Sequence, residues 1–222
     1  MCQYQHILDG KVVHLPLGKV VCVGRNYAAH ARELNNPLPT SPVLFIKPST
    51  SLVTMNETFS IPSALGECHF EAEMSVLMGK QLSNCNEQEA QEAIAGVGIS
   101  LDLTLRDVQQ NLKEKGLPWE KAKAFDGACP TSAFVSKNSV GDLQNKQIRL
   151  FKNDELHQDG NTAEMLNPVL SLISYISRFF TLLPGDLVLT GTPAGVGPLQ
   201  IGDSLVVELV DFIRCKTEVV SR

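Results

Sequence analysis

The 222-residue chain has no Cys-x-x-Cys pair, no excess of basic residues, no apolar run of membrane length and a single tryptophan. Each absence removes a class of function. The six cysteines, Cys2, Cys22, Cys68, Cys85, Cys129 and Cys215, are scattered, so reduced thiols are expected, and no second Cys/His pair joins Cys68 and His69 in a zinc site. Lys and Arg number 19 against 24 Asp and Glu, and the net charge of −5 offers no basic patch for nucleic acid or an anionic membrane. Small molecules are the expected partners. The apolar run at 169–183 is broken by Arg178 and falls short of the ~20 residues that a bilayer requires, so it is expected as a core helix. The N-terminal Met-Cys-Gln-Tyr-Gln-His lacks the charged and apolar regions of a secretory signal, which points to the cytoplasm. With 43% hydrophobic residues and no linker-like shift in composition, residues 1–222 are expected to form a single domain with a sizeable core.

What the chain does contain is a strand-like stretch at 68–78, Cys-His-Phe-Glu-Ala-Glu-Met-Ser-Val-Leu-Met. Side chains alternate along a strand, so Glu71, Glu73 and Ser75 share one face while Phe70, Ala72, Met74, Val76 and Met78 share the other. The two glutamates lie roughly 7 Å apart at Cα, near enough to converge on one ion. Buried together they would need a cation; on a solvated antiparallel strand they would need nothing. Asp102 ends the apolar strand 96–102, where it fits either a third ligand or the N-cap of a helix at 104–115.

Four other stretches carry reactive groups. A buried strand at 19–24 leads into a helix capped by Asn26 and running to about Leu34, on which His30 and Glu33 are three apart and share a face. A carboxylate beside an imidazole is the basic unit of water activation, and an exposed surface pair is the alternative. In the strand 43–47, Lys47 either points into a cavity or ends the strand at the surface, the commoner outcome. On the 104–115 helix, Arg106, Gln109 and Lys113 form a polar stripe beginning beside Asp102. Next to Trp119, Lys121 and Lys123 are either solvated or desolvated, and a desolvated lysine has a lowered pKa and can stabilise an oxyanion. The glycine-rich loop at 190–197 lacks the marks of a nucleotide site, and its backbone N–H groups suit a small carboxylate. A hairpin at 147–158, in which His157 is an ordinary strand residue, and a packing helix from Asn167-Pro168 to about Phe180 complete the pattern.

In order along the chain stand Gly24-Arg25-Asn26-Tyr27 with His30, His69-x-Glu71-x-Glu73, Asp102-x-Thr104-x-Arg106-Asp107-x-Gln109, Trp119-x-x-x-Lys123-x-Phe125-Asp126 and Gly185-Asp186-x-x-x-Thr190-Gly191-Thr192-Pro193-x-Gly195-Val196-Gly197. This series resembles the fumarylacetoacetate hydrolase family, in particular its short acylpyruvase, oxaloacetate decarboxylase and isomerase members. The resemblance implies an α+β, predominantly β fold, a rolled mixed β-sandwich with peripheral helices, usually assembled as a homodimer. It implies a divalent ion at the matches to Glu71, Glu73 and Asp102. Oxygen ligands with room for water suit Mg²⁺, with Mn²⁺ as the alternative, better than zinc or calcium. Only about eighteen residues precede the first motif, so the extra N-terminal domain of larger members is not expected.

The function expected on these grounds is cleavage of a C–C bond in an acylpyruvate, a 2,4-diketo acid. Arg25, Gln109, Gly191 N–H and Thr192 would hold the substrate's oxygens, and Arg106 would join them or brace Asp102. His30 and Glu33 would activate water, and Lys123 would stabilise the pyruvate enolate. The same enolate serves oxaloacetate decarboxylation and keto-enol or double-bond isomerisation, which stand as alternatives. A non-catalytic dicarboxylate binder is a third reading, weakened by the presence of every ligand and of Lys123.

Overall fold

The computed structural model describes residues 4–222, so Cys2 and the first three residues of the N-terminal reading lie outside it. Two sheets carry the fold. The larger has the order Val43–Lys47, Val20–Gly24, Leu187–Leu189, Ala72–Met78, Ile94–Leu101, Cys129–Thr131, Leu52–Thr54, with Val135–Ser136 also paired to Ile94–Leu101. It is mixed: Leu187–Leu189 runs parallel to Val20–Gly24 and Cys129–Thr131 parallel to Leu52–Thr54, among otherwise antiparallel neighbours. The smaller sheet has the order Glu155–Asn161, Gln147–Lys152, Ser204–Leu209, Ile213–Ser221, Thr58–Ile61. This is the expected α+β, predominantly β, rolled mixed sandwich with short helices at its edges.

Alternation along Ala72–Met78 decides where the core sits. Met74 and Val76 pack in one apolar cluster with Ile148, Leu150, Leu205 and Val207 of the smaller sheet. The opposite face is covered too, because Leu77 joins Val20, Cys22, Leu187, Leu189 and Phe134 in a second cluster. Every residue of the strand is therefore buried, and Glu73, on the face that might have met water, is 1% exposed.

Several local expectations shift by a residue or a turn. The first helix is only Ala28–Glu33, with Tyr27 rather than Asn26 at its N-cap. Asn26 is drawn away by tertiary partners: its amide donates to the Thr190 and Asn167 carbonyls and accepts from Asn167 N–H. The helix expected from 104 begins at Arg106, since Thr104–Leu105 pairs as a short strand with Cys68–Phe70, and Leu105 occupies its N-cap. Asp102 is therefore not a helix cap. Asn86 does cap Glu87–Ala93, through a reciprocal capping box with Glu89. The hairpin turns at Asn153 and Asp154, both at positive φ, as a two-residue connection with this twist demands. The apolar run forms Val169–Ser177, packed by Val169, Leu172, Ile173 and Ile176. No helix among the described residues is long and apolar enough to cross a membrane. Cys22, Cys68, Cys85, Cys129 and Cys215 are free and buried.

Candidate active site

Strand register brings the acids together. Ala72 pairs with Leu101 and Glu73 with Ser100, and Asp102 N–H donates to the Glu71 carbonyl at 2.8 Å, so the residue after one strand faces the residue before the other. One carboxylate oxygen from each of Glu71, Glu73 and Asp102 falls within 4.8 Å of the others. All three residues are buried.

Cations answer two of the three. Lys123 Nζ lies 2.8 Å from Glu71 Oε2 and 2.7 Å from Asp102 Oδ2, and donates to Thr104 Oγ1. Arg106 donates to Glu71 Oε1 at 2.5 Å and to Gln109 Oε1 at 2.9 Å, so it braces Glu71 and not Asp102 as expected. Lys47 is the larger correction. Instead of ending its strand in water it is wholly buried. Its Nζ sits 2.8 Å from Asp102 Oδ1 and donates to the backbone carbonyl of Lys123. The contact with Asp102 is one of charge without hydrogen-bond alignment, and that oxygen receives no hydrogen bond.

These partners set the protonation. Burial raises the Glu71 pKa, but Lys123 and Arg106 outweigh it and hold the carboxyl well below its ordinary range. For Glu73, burial, then the charges of Asp102 and Glu71, push the pKa well up, against the charge of Lys123 and the hydrogen bond from Gly191 N–H at 2.6 Å. Lys123 departs from expectation: burial pulls its pKa down, yet Asp102 and Glu71 more than offset this and the net shift is upward. It is a cation held among carboxylates, with Phe45 beneath it.

His30 is buried and its Nδ1 lies 3.2 Å from Glu33 Oε2, while Glu33 itself stays exposed, so the pair has one member inside and one at the surface. The other Glu33 oxygen accepts from Gly195 N–H at 2.9 Å. One cleft is lined by Arg25, His30, Glu71, Glu73, Arg106, Gln109, Lys123 and Thr192; Glu33, Asp102 and Gly191 are not part of this lining. Two expected substrate donors are committed elsewhere. Gly191 N–H serves Glu73, and the Thr192 hydroxyl donates to the Ala72 carbonyl at 2.9 Å. Arg25 holds a left-handed backbone at φ 61, an unfavourable conformation for a residue with a side chain and one that gathers at functional sites.

Sequence reasoning favoured the wrong placement for Lys47 and missed Gln158. A lysine closing the apolar run Val43–Lys47 was a usable signal for the first. Gln158 belongs to the smaller sheet, is wholly buried, accepts from Ala72 N–H and donates to Thr192 Oγ1 and the Pro193 carbonyl. Its partners come from other elements, so no local pattern marks it.

A hard divalent cation fits this arrangement. Among the described residues Glu73 forms no ion pair and Asp102 Oδ1 is buried without a hydrogen bond, and the candidate ligand atoms are all carboxylate oxygens, which favour Mg²⁺ or Mn²⁺ over softer metals.

Residues 19–220 match the fumarylacetoacetate (FAA) hydrolase C-terminal family. The chain belongs to the fumarylacetoacetate hydrolase family. Among the family's members it is 51% identical to the oxaloacetate tautomerase YcgM of Escherichia coli K12 over 206 residues, 92% of this chain and 94% of that one. It is 45% identical to the mitochondrial oxaloacetate tautomerase FAHD1 of Bos taurus over 186 residues, 84% of each chain. The fumarylpyruvate hydrolase of Pseudomonas aeruginosa, solved in complex with Mn²⁺ and pyruvate, superposes with a TM-score of 0.93 at 34% identity, covering 100% of this chain and 97% of that one. The protein is thus an enzyme of the fumarylacetoacetate hydrolase family, and its relatives act on small keto acids.

Proposed function

We propose that this enzyme moves a proton at C3 of a short 2-oxo acid and so interconverts the keto and enol forms of oxaloacetate. One observation carries the reading: His30, hydrogen-bonded to Glu33, lines the same cleft as Glu71, Glu73 and Lys123. A carboxylate at Nδ1 favours the imidazole tautomer protonated there and leaves Nε2 free as the base. Nε2 takes the C3 proton, and the imidazolium delivers it to the C2 oxygen of the enolate, which gives the enol; the reverse transfers regenerate the keto form. Lys123, kept charged by its carboxylates, stands by the developing oxyanion. Arg106 and Gln109, already tied to each other, orient the carboxylate at the 2-oxo end. When bound at Glu71, Glu73 and Asp102, Mg²⁺ or Mn²⁺ supplies Lewis-acid polarisation of the 2-oxo group.

Likeness to two oxaloacetate tautomerases supports this choice over the acylpyruvate cleavage favoured by residue chemistry alone. Hydrolysis is the second reading, supported by the fumarylpyruvate hydrolase fold and by a His/Glu pair able to activate water. The deciding experiment follows enol-oxaloacetate, pyruvate release and acetylpyruvate side by side with Mg²⁺. Fast loss of the enol without pyruvate, slowed at least a hundredfold in His30→Ala, is the expected result; acetylpyruvate cleaved faster than the enol is lost would replace tautomerisation with hydrolysis. A homodimer in the cytoplasm belongs to the same reading, and light scattering at twice the chain mass tests the assembly.

A further inference from the structure

The cleft carries positive charge that no acid of the protein answers. Glu71 and Asp102 are matched by Lys123, Arg106 and Lys47. Arg25 and Lys113 line the same cleft, yet among the described residues neither forms an ion pair with a carboxylate. Lys113 Nζ donates instead to the neutral Asn36 Oδ1 at 2.9 Å. Partial burial, and then the charges of Arg25 and Arg106, lower its pKa, as expected for cations gathered without a counter-charge.

Position matters as much as charge. Arg106, Gln109 and Lys113 stand at i, i+3 and i+7 of the helix Arg106–Glu114, so they form one stripe along the cleft. Arg106 touches Glu71, and Lys113 stands seven residues further, roughly 10 Å along the axis, from where a flexible lysine reaches partway back. The stripe therefore leads from the carboxylate centre toward the mouth. A 2-oxo acid held at the centre would extend its distal end along it.

We propose that Lys113, with Arg25, forms a second anion subsite that takes the distal carboxylate of a C4 2-oxo diacid and selects diacids over 2-oxo acids with neutral tails. The proposal rests on the reading of the cleft as a keto-acid site. Electroneutrality argues for it. Lys123, Arg106 and Lys47 already match Glu71 and Asp102, so a divalent ion, Arg25 and Lys113 would together exceed the charge of Glu73 and leave an excess that a dianion matches better than a monoanion. Lys113 would exchange a neutral amide oxygen for a carboxylate, the stronger hydrogen-bond partner.

The test compares oxaloacetate with its 4-methyl ester in wild type, Lys113→Met and Lys113→Arg, with Mg²⁺ present. Wild type is expected to have a KM at least tenfold lower for the diacid; Lys113→Met should erase that preference by raising the diacid KM, and Lys113→Arg should restore most of it. Equal KM increases for both compounds in Lys113→Met, or a fall in kcat alone, would overturn the subsite. Calorimetric binding of 3,3-difluorooxaloacetate against pyruvate separates this from the reaction. If Lys113→Met weakens the diacid analogue tenfold and pyruvate less than twofold, the subsite stands even where tautomerisation fails. If wild type binds the two equally, the subsite falls whatever the reaction proves to be.

Discussion

Lys47 illustrates how a single buried charge supports the site without reaching substrate. Wholly enclosed, it sits between Asp102 and the backbone of Lys123, so it positions the proposed ligand carboxylate and the proposed catalytic cation together. Removing one partner of a buried pair costs up to about 3–5 kcal/mol, and without Lys47 Asp102 would keep only Lys123. Lys47→Met is expected to lose stability of that order in urea unfolding of the metal-free protein; a loss below about 1 kcal/mol would mean that Asp102 is satisfied without it. His6 acts at the same scale on pH. Its ring is buried against the Gly185 carbonyl and burial lowers its pKa. The folded state thus binds the proton less well than the unfolded chain. Its contribution is fully present above the unfolded value of ~6.5 and is lost as pH falls below it. His6→Gln is expected to flatten the stability loss between about pH 6.5 and 5 seen by thermal unfolding, and an unchanged slope would assign that loss elsewhere.

At the scale of elements, the helix Ala28–Glu33 is short and has no side-chain cap. Isolated, six residues would not hold a helix. Two outside contacts pin it over the cleft: Gly195 N–H to Glu33 on one side, Lys113 to Asn36 just beyond its end on the other. The Asn- and Pro-rich segment that follows is thereby tied at Glu33 to the glycine-rich loop and at Asn36 to the helix Arg106–Glu114. Gly195 itself has φ 98, and a Cβ there would lie 1.9 Å from the His157 carbonyl oxygen. Gly195→Ala must shift the loop and take the donor from Glu33. We expect kcat to fall at least tenfold with the far-ultraviolet circular dichroism unchanged; retained kcat would show that Glu33 keeps the imidazole in place unaided.

At the scale of the whole molecule, the sandwich surrounds the ligand set with apolar clusters on both faces of the larger sheet. Glu73 then depends on an added cation. Saturating Mn²⁺ or Mg²⁺, at a hundredfold over its dissociation constant, would stabilise the folded state by about 2.7 kcal/mol. A clear rise in Tm on adding metal is expected for wild type and not for Glu73→Gln, measured by differential scanning calorimetry. A similar rise in both would remove Glu73 from the ligand set.

Much of this was legible before any coordinates. Glu71 and Glu73 announce a shared strand face by their spacing, and His30 and Glu33 a shared helix face, because both periodicities are properties of local backbone geometry. The capping box at Asn86 and the turn at Asn153-Asp154 are equally local. Asn26 misleads for the complementary reason: its amide caps helices well, but Asn167 and Thr190 reach it first.

The sequence by itself determined the candidate acids, the imidazole pair and the sandwich class, since strand alternation, helical spacing and apolar content need no distant partner. Only the tertiary structure decided that Glu73 would be buried, that Lys47 would point inward to Asp102, that Gln158 would clamp the Thr192 loop, and that Lys123 would stay charged. Those outcomes depend on which surfaces meet across the sheets, and burial and charge neutralisation are set by neighbours far away in the chain.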